Sequence, residues 1–156
     1  MTTSTPAKSY TLYHSRLAKQ LRSEVHISNS FAQLNLSNPA SSGGKAYTAI
    51  WDTGATVTCI TQKVVDDLGL VGLGKCKNIT AGGAIETTRH LIDLWLPNKV
   101  VILKCDVTKV ELYALKADVL IGMDVISQGD FTITNYQGKT VMTFRIPSLE
   151  TVDYDK

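Results

Sequence analysis

The chain has 156 residues, 16 basic and 14 acidic side chains, and a formal net charge of +2. That length suits one domain with a real core, and 44% hydrophobic against 19% charged residues excludes a disordered chain. So small a net charge sets up no field that would select nucleic acid or an anionic membrane, and no apolar run is long enough to span a bilayer.

Residues 1–24 are polar and mixed, with weak helical spacing at Leu17, Leu21 and Val25, and are read as an N-terminal extension. Lys8, Arg16, Lys19 and Arg22 cluster there and fit a solvated face better than a binding patch. No charged start leads into an apolar run, so no signal peptide is expected. Residues 25–147 form the expected domain and 148–156 a C-terminal tail. Val25, Ile27, Phe31, Leu34 and Leu36 alternate as half-buried strands should. Ser37 to Gly44 is turn chemistry, and Lys45 to Trp51 runs extended into Asp52.

Ala55 to Ile60 is β-branched and strand-like. Thr61 to Leu70 changes period: Thr61 can cap a helix with Val64, Val65 and Leu68 on one face, and Gly69 can end it. Strands are then expected over Lys75–Thr80, Ala84–Leu96 and Val100–Val107, with a hairpin tip at Ala81-Gly82-Gly83-Ala84 and a turn at Pro97-Asn98. Ala117–Gly122 reads as a short apolar strand, Met123–Gln128 as a helical turn, and Asp130–Ile146 as a hairpin turning at Asn135–Gly138. Many short strands with little helix predict an all-β, closed-barrel domain with one or two short helices. Cys59, Cys76 and Cys105 share no close spacing and read as buried free thiols in a reducing compartment, by default the cytoplasm. The sequons at Asn35 and Asn78 have no secretory context to act in.

Asp52 closes an apolar run and is followed at once by Thr53, Gly54 and Ala55. Asp-Thr-Gly alone is ordinary turn chemistry. Here, however, Ala46–Trp51 and Thr56–Ile60 are both strand-like, so the tripeptide is a tight loop between buried strands. A carboxylate in that position is costly unless something uses or satisfies it.

Three segments in this order resemble the retropepsin-like aspartic proteases, the retroviral proteases and their single-domain bacterial relatives: Asp52-Thr53-Gly54-Ala55 after an apolar strand, the glycine-rich "NITAGGAIE", and Leu120-Ile121-Gly122 before a short helix near Asp124. The resemblance runs over residues 45–147. It implies an aspartic endopeptidase in which two carboxylates share a proton, one activating water and the other protonating the scissile carbonyl, with no cofactor and no metal. Because the chain holds one such tripeptide, the second aspartate must be Asp52 of another copy, in a homodimer with its active site on the two-fold axis. Thr53 then locks the two loops together, Gly54 lets backbone approach the reacting atoms, and Ala55 completes the loop. Ala81, Gly82, Gly83 and Ala84 form a flap over an extended polypeptide substrate, while Leu120, Ile121 and Gly122 cross behind the loop and support it.

Ala55 replaces the hydroxyl residue of pepsin-like relatives, which implies activity reaching less acidic pH, roughly 5 to 6. Thr56 and Met123 stand where retroviral proteases pair an aspartate with an arginine, so another contact must hold the dimer. The N-terminal extension and the segment from Phe144 to Lys156 are the candidates. Trp51 reads as a core or interface residue. Asp124 reads as a helix cap, and Asp66-Asp67 as solvent-facing. Gly69–Cys76 nearly spells a phosphate loop but has Cys76 in place of the hydroxyl residue and a helix before it. His14, His26 and His90 have no ligand spacing. The reading from another class is a peptide-binding or dimerisation module on the same fold that cleaves nothing.

Overall fold

In a computed structural model, residues 6–80 and 82–156 are described. Among the described residues, ten strands and two short α-helices make a mostly β structure. In order they are β1 (Lys8–Tyr13), β2 (Leu21–Asn29), β3 (Lys45–Trp51), β4 (Cys59–Ile60), α1 (Gln62–Asp67), β5 (Lys75–Thr80), β6 (Gly83–Trp95), β7 (Val101–Lys109), β8 (Val119–Ile121), α2 (Met123–Ile126), β9 (Asp130–Thr134) and β10 (Val141–Ile146). The larger sheet runs β2-β3-β8-β4-β7-β6-β5, and β2 pairs again with β6 through His26–Asn29. The smaller sheet runs β1-β10-β9.

The alternating strands bury one face. Val25 and Ile27 of β2, Ile92 and Leu94 of β6, Val107 of β7, and Val119 and Ile121 of β8 are each at most 1% exposed. Trp51 joins the sheets: its ring stacks on Phe131 at 5.8 Å and tilts against Phe144 at 5.1 Å. Its indole N–H donates to Ser23 Oγ at 2.9 Å, so burial leaves no orphan donor. Trp51 is a core residue.

Several expectations change. The helical spacing over Leu17–Val25 is not realised, because Leu21–Asn29 is strand paired with β3 and β6. Within the stretch read as an extension, Lys8–Tyr13 is a strand in register with β10 from Lys8↔Ile146 to Tyr13↔Val141. The alternation does not continue past Asn29. Asn29 Oδ1 accepts from Phe31 N and its carbonyl from Ala32 N, a turn that ends β2 and leaves Phe31, Leu34 and Leu36 exposed. Of Ala55–Ile60 only Cys59 and Ile60 are strand. Thr61 does precede α1, but its hydroxyl makes no cap bond. Gly69 closes α1 at φ +57°, a conformation glycine adopts without strain. No helix among the described residues is long and apolar enough to cross a membrane.

Candidate active site

β8 lies between the strand that enters the Asp52 loop and the strand that leaves it. It runs parallel to β3 (Ala49↔Val119, Trp51↔Ile121) and antiparallel to β4 (Cys59↔Leu120, Ile60↔Val119). The loop is therefore drawn over the end of β8. Asp52 N donates to Ile121 O at 2.9 Å, Met123 N to Ala55 O at 2.8 Å, and Asp124 N to Thr56 O at 3.2 Å. Gly122 passes directly beneath: a Cβ there would lie 2.7 Å from Val57 C, 2.8 Å from Val57 O and 2.9 Å from Ala55 O. Leu120, Ile121 and Gly122 thus lie behind the loop, tied to it by backbone bonds.

Asp52 is half-buried at the tip of β3, and its Oδ1 accepts from Gly54 N at 2.8 Å. A side chain at Gly54 would bring its Cβ within 3.1 Å of that oxygen. Asp52 and Thr53 open on a cavity of about 460 Å³ shared with Leu21, Ile133 and Asn135. A second cavity, about 660 Å³, lies where Val57 and Asp124 face Asn78 and Thr108. Ala55 is half-buried and Thr53 exposed.

The glycine-rich stretch is the tip of the β5–β6 hairpin, which pairs through Thr80↔Gly83. Thr80 Oγ1 donates to Gly83 O at 2.9 Å and accepts from Gly82 N at 3.2 Å. Gly83 sits at φ +108°, where an L side chain is strained. Gly82, Gly83 and Ala84 are exposed, and Ile79 on the same tip is 90% exposed. Ala81 lies outside the described residues.

Thr58 and Asp124 were not singled out together by the sequence, and the structure joins them. Thr58 N donates to Asp124 Oδ2 at 3.0 Å and Thr58 Oγ1 to Asp124 Oδ1 at 2.8 Å, while Thr58 Oγ1 accepts from Gly122 N at 3.1 Å. Asp124 is therefore not the cap of α2, whose N-cap is Gly122. The only local hint was its place two residues after the supporting glycine.

The other titratable groups do not converge on the site. His90 is 3% exposed, its Nδ1 lies 3.1 Å from Val71 O, and burial pushes its pKa below the ordinary value. Burial raises the Cys59 thiol and pushes Cys105 up to about 12, so both stay protonated and inert. Among the described residues no cluster of three or more His, Cys, Asp or Glu could hold a metal ion.

Residues 38–128 match the family described as gag-polyprotein putative aspartyl protease. Among solved structures, a retropepsin-like aspartic protease from Rickettsia conorii aligns with a TM-score of 0.53 and 12% identity, over 90% of this chain and 96% of that one. At that identity the likeness is one of fold. No curated protein matches the chain.

Proposed function

The chain belongs to the gag-polyprotein putative aspartyl protease family, and from that premise we propose that it is an aspartic endopeptidase in which Asp52 from each of two chains forms the catalytic dyad. The observation that carries this reading is the half-buried Asp52 carboxylate, held by Gly54 N–H at 2.8 Å on a loop braced from beneath by β8. General acid–base hydrolysis needs a second carboxyl at contact distance, so that one ionises and its partner keeps the proton. The ionised member takes a proton from water, and the protonated member gives its own to the scissile carbonyl oxygen. Only one Asp-Thr-Gly occurs in the sequence, so the second carboxyl comes from a second copy.

Thr53 is exposed beside Asp52, as a residue meeting its own copy must be, and the free edge of β9 adjoins the same cavity through Ile133. In the dimer the β5–β6 hairpin closes over an extended polypeptide, which pairs by strand addition. The three cysteines are unpaired, which fits a reducing compartment such as the cytoplasm.

The test is cleavage of an unbiased peptide mixture across roughly pH 3 to 7, with products read by mass spectrometry and Asp52→Asn alongside. Cleavage that rises with chain concentration and vanishes in Asp52→Asn is the expected result. A folded, dimeric wild type that cleaves nothing overturns it in favour of a non-catalytic peptide-binding module.

A further inference from the structure

The catalytic loop is fastened to the segment behind it by two kinds of bond. Those from Asp52 N to Ile121 O, Met123 N to Ala55 O and Asp124 N to Thr56 O run between backbone atoms and tolerate most side chains. The bonds at the loop exit depend on the side chains of Thr58 and Asp124. We propose that Asp124 is a positioning residue for the loop that carries Asp52, acting through Thr58. The inference rests on the endopeptidase reading for its catalytic consequence, though not for its geometry.

Both groups that approach the Asp124 carboxylate are donors, and both belong to Thr58: its N–H at 3.0 Å and its hydroxyl at 2.8 Å. With the hydroxyl proton committed to Asp124, the Thr58 Oγ1 lone pairs are left for Gly122 N, 3.1 Å away. Carboxylate, hydroxyl and amide thus form one chain in which every proton has a single arrangement. It clamps the loop exit to the residue that passes beneath the loop. Thr58 is fully buried, so water cannot substitute for a lost partner. Only an acceptor-only group at position 124 satisfies both donors. An amide presents one oxygen and one NH2, and leaves one of the two Thr58 donors facing an NH2 instead of an acceptor.

The consequence for chemistry is positional. Asp52 N is held by Ile121 O, next to Gly122, so slack at Gly122 is passed to the carboxylate. Reacting groups lose about a hundred-fold in rate for displacements near 1 Å. In a dimeric dyad both loops shift together.

The test compares Asp124→Asn, Thr58→Val and Thr58→Ser in the full chain. Amide hydrogen exchange is measured at Thr58, Gly122 and the core residues Ile92 and Leu94, and kcat and KM are determined separately on a cleaved peptide. Asp124→Asn is expected to speed exchange at residues 58 and 122, leave the core amides unchanged, and lower kcat by about ten- to a hundred-fold with little change in KM. Thr58→Val should reproduce the effect, Thr58→Ser should restore near-wild-type values, and the double variant should lose no more than either single one. Unchanged exchange at both amides overturns the proposal. So does a kcat equal to wild type, or a loss that tracks faster exchange across the whole core. A wild type silent on peptides defeats the endopeptidase reading instead. Exchange at Thr58 and Gly122 then decides the clamp alone, faster in Asp124→Asn if it exists and unchanged if it does not.

Discussion

Gly122→Ala is the sharpest single perturbation of the candidate site. Gly122 has φ −95° and ψ −175°, an extended conformation open to any residue, so the argument is one of space alone. The added Cβ would meet the Val57 carbonyl carbon at 2.7 Å and the Ala55 carbonyl oxygen at 2.9 Å, where ordinary contact begins at 3.4 Å. Those neighbours are backbone, so the loop or β8 must move by about 0.7 Å rather than a side chain turning aside. Overpacking of this kind costs about 1–3 kcal/mol, which lowers Tm by roughly 3–10 °C in a domain of this size. On the proposed chemistry, a shift of that size beneath the Asp52 carboxylate should lower kcat by roughly ten- to a hundred-fold. Urea denaturation gives the first quantity and peptide cleavage the second. Val25→Ala, in the buried face of β2 and paired with Tyr47 of β3, serves as a control with comparable stability loss. The reasoning fails if Gly122→Ala retains as much kcat as Val25→Ala, or if its stability equals wild type.

Two glycines at the β5–β6 hairpin tip should differ. Gly83→Ala meets no neighbour but must hold φ +108°, and is expected to raise KM and loosen the hairpin tip by about 1–2 kcal/mol, whereas Gly82→Ala meets only Thr80 Oγ1 at 3.7 Å and should cleave as wild type does. Steady-state kinetics on both variants checks the pair, and equal effects would refute it. His90 is held below its ordinary value of 6.5 chiefly by burial, with Lys109 also disfavouring its charge, and its Nε2 is buried with no hydrogen-bond partner among the described residues. A depressed histidine contributes stability that is intact above about 6.5 and lost as pH falls through the folded value. Tm should therefore fall more steeply from pH 7 to 5 in wild type than in His90→Phe, and parallel profiles would refute this. Asp130 is held well below the ordinary carboxylate value by the Ser148 hydroxyl, Leu149 N–H and Arg145. Its contribution is present above 3.8 and lost only as pH falls through the lower folded value, so the tail stays attached in mild acid. Asp130→Asn should accelerate exchange at the Leu149 amide near neutral pH, and an unchanged rate would count against the attachment.

The sequence exposed the parts of this fold whose constraint is local. Lys45–Trp51 and the β5–β6 hairpin follow from alternation and from glycines at a tip, and both are where they were expected. Gly69 closes α1 because its own φ is positive. Errors arose where a local pattern met a tertiary decision. Phe31, Leu34 and Leu36 continue the apolar alternation of β2, but the Asn29 turn takes the chain out of the sheet before they can be buried. Lys8–Tyr13 has an apolar alternation of only two residues, Tyr10 and Leu12, and becomes a strand by pairing with β10, more than a hundred residues away. The cap expected of Asp124 rested on proximity to α2, and its carboxylate instead serves a threonine on the far side of the loop.

The same distinction explains why the motif was visible and its clamp was not. Asp52 must be a carboxylate for the proposed chemistry, and Gly122 must lack a Cβ because two carbonyls lie within 3 Å of where it would sit. Each requirement falls on one position and leaves a residue type that can be read there. Thr58 and Asp124 are ordinary taken singly, and are 66 residues apart. Their requirement is mutual, so it becomes legible only once β8 has been placed between β3 and β4. The loop leaves β3 at Asp52, and only the non-local pairing with residues 119–124 places backbone beneath it. The geometry at Asp52 is therefore set by the completed sheet rather than by the Asp-Thr-Gly loop itself. A peptide carrying that loop alone would have the motif without the site.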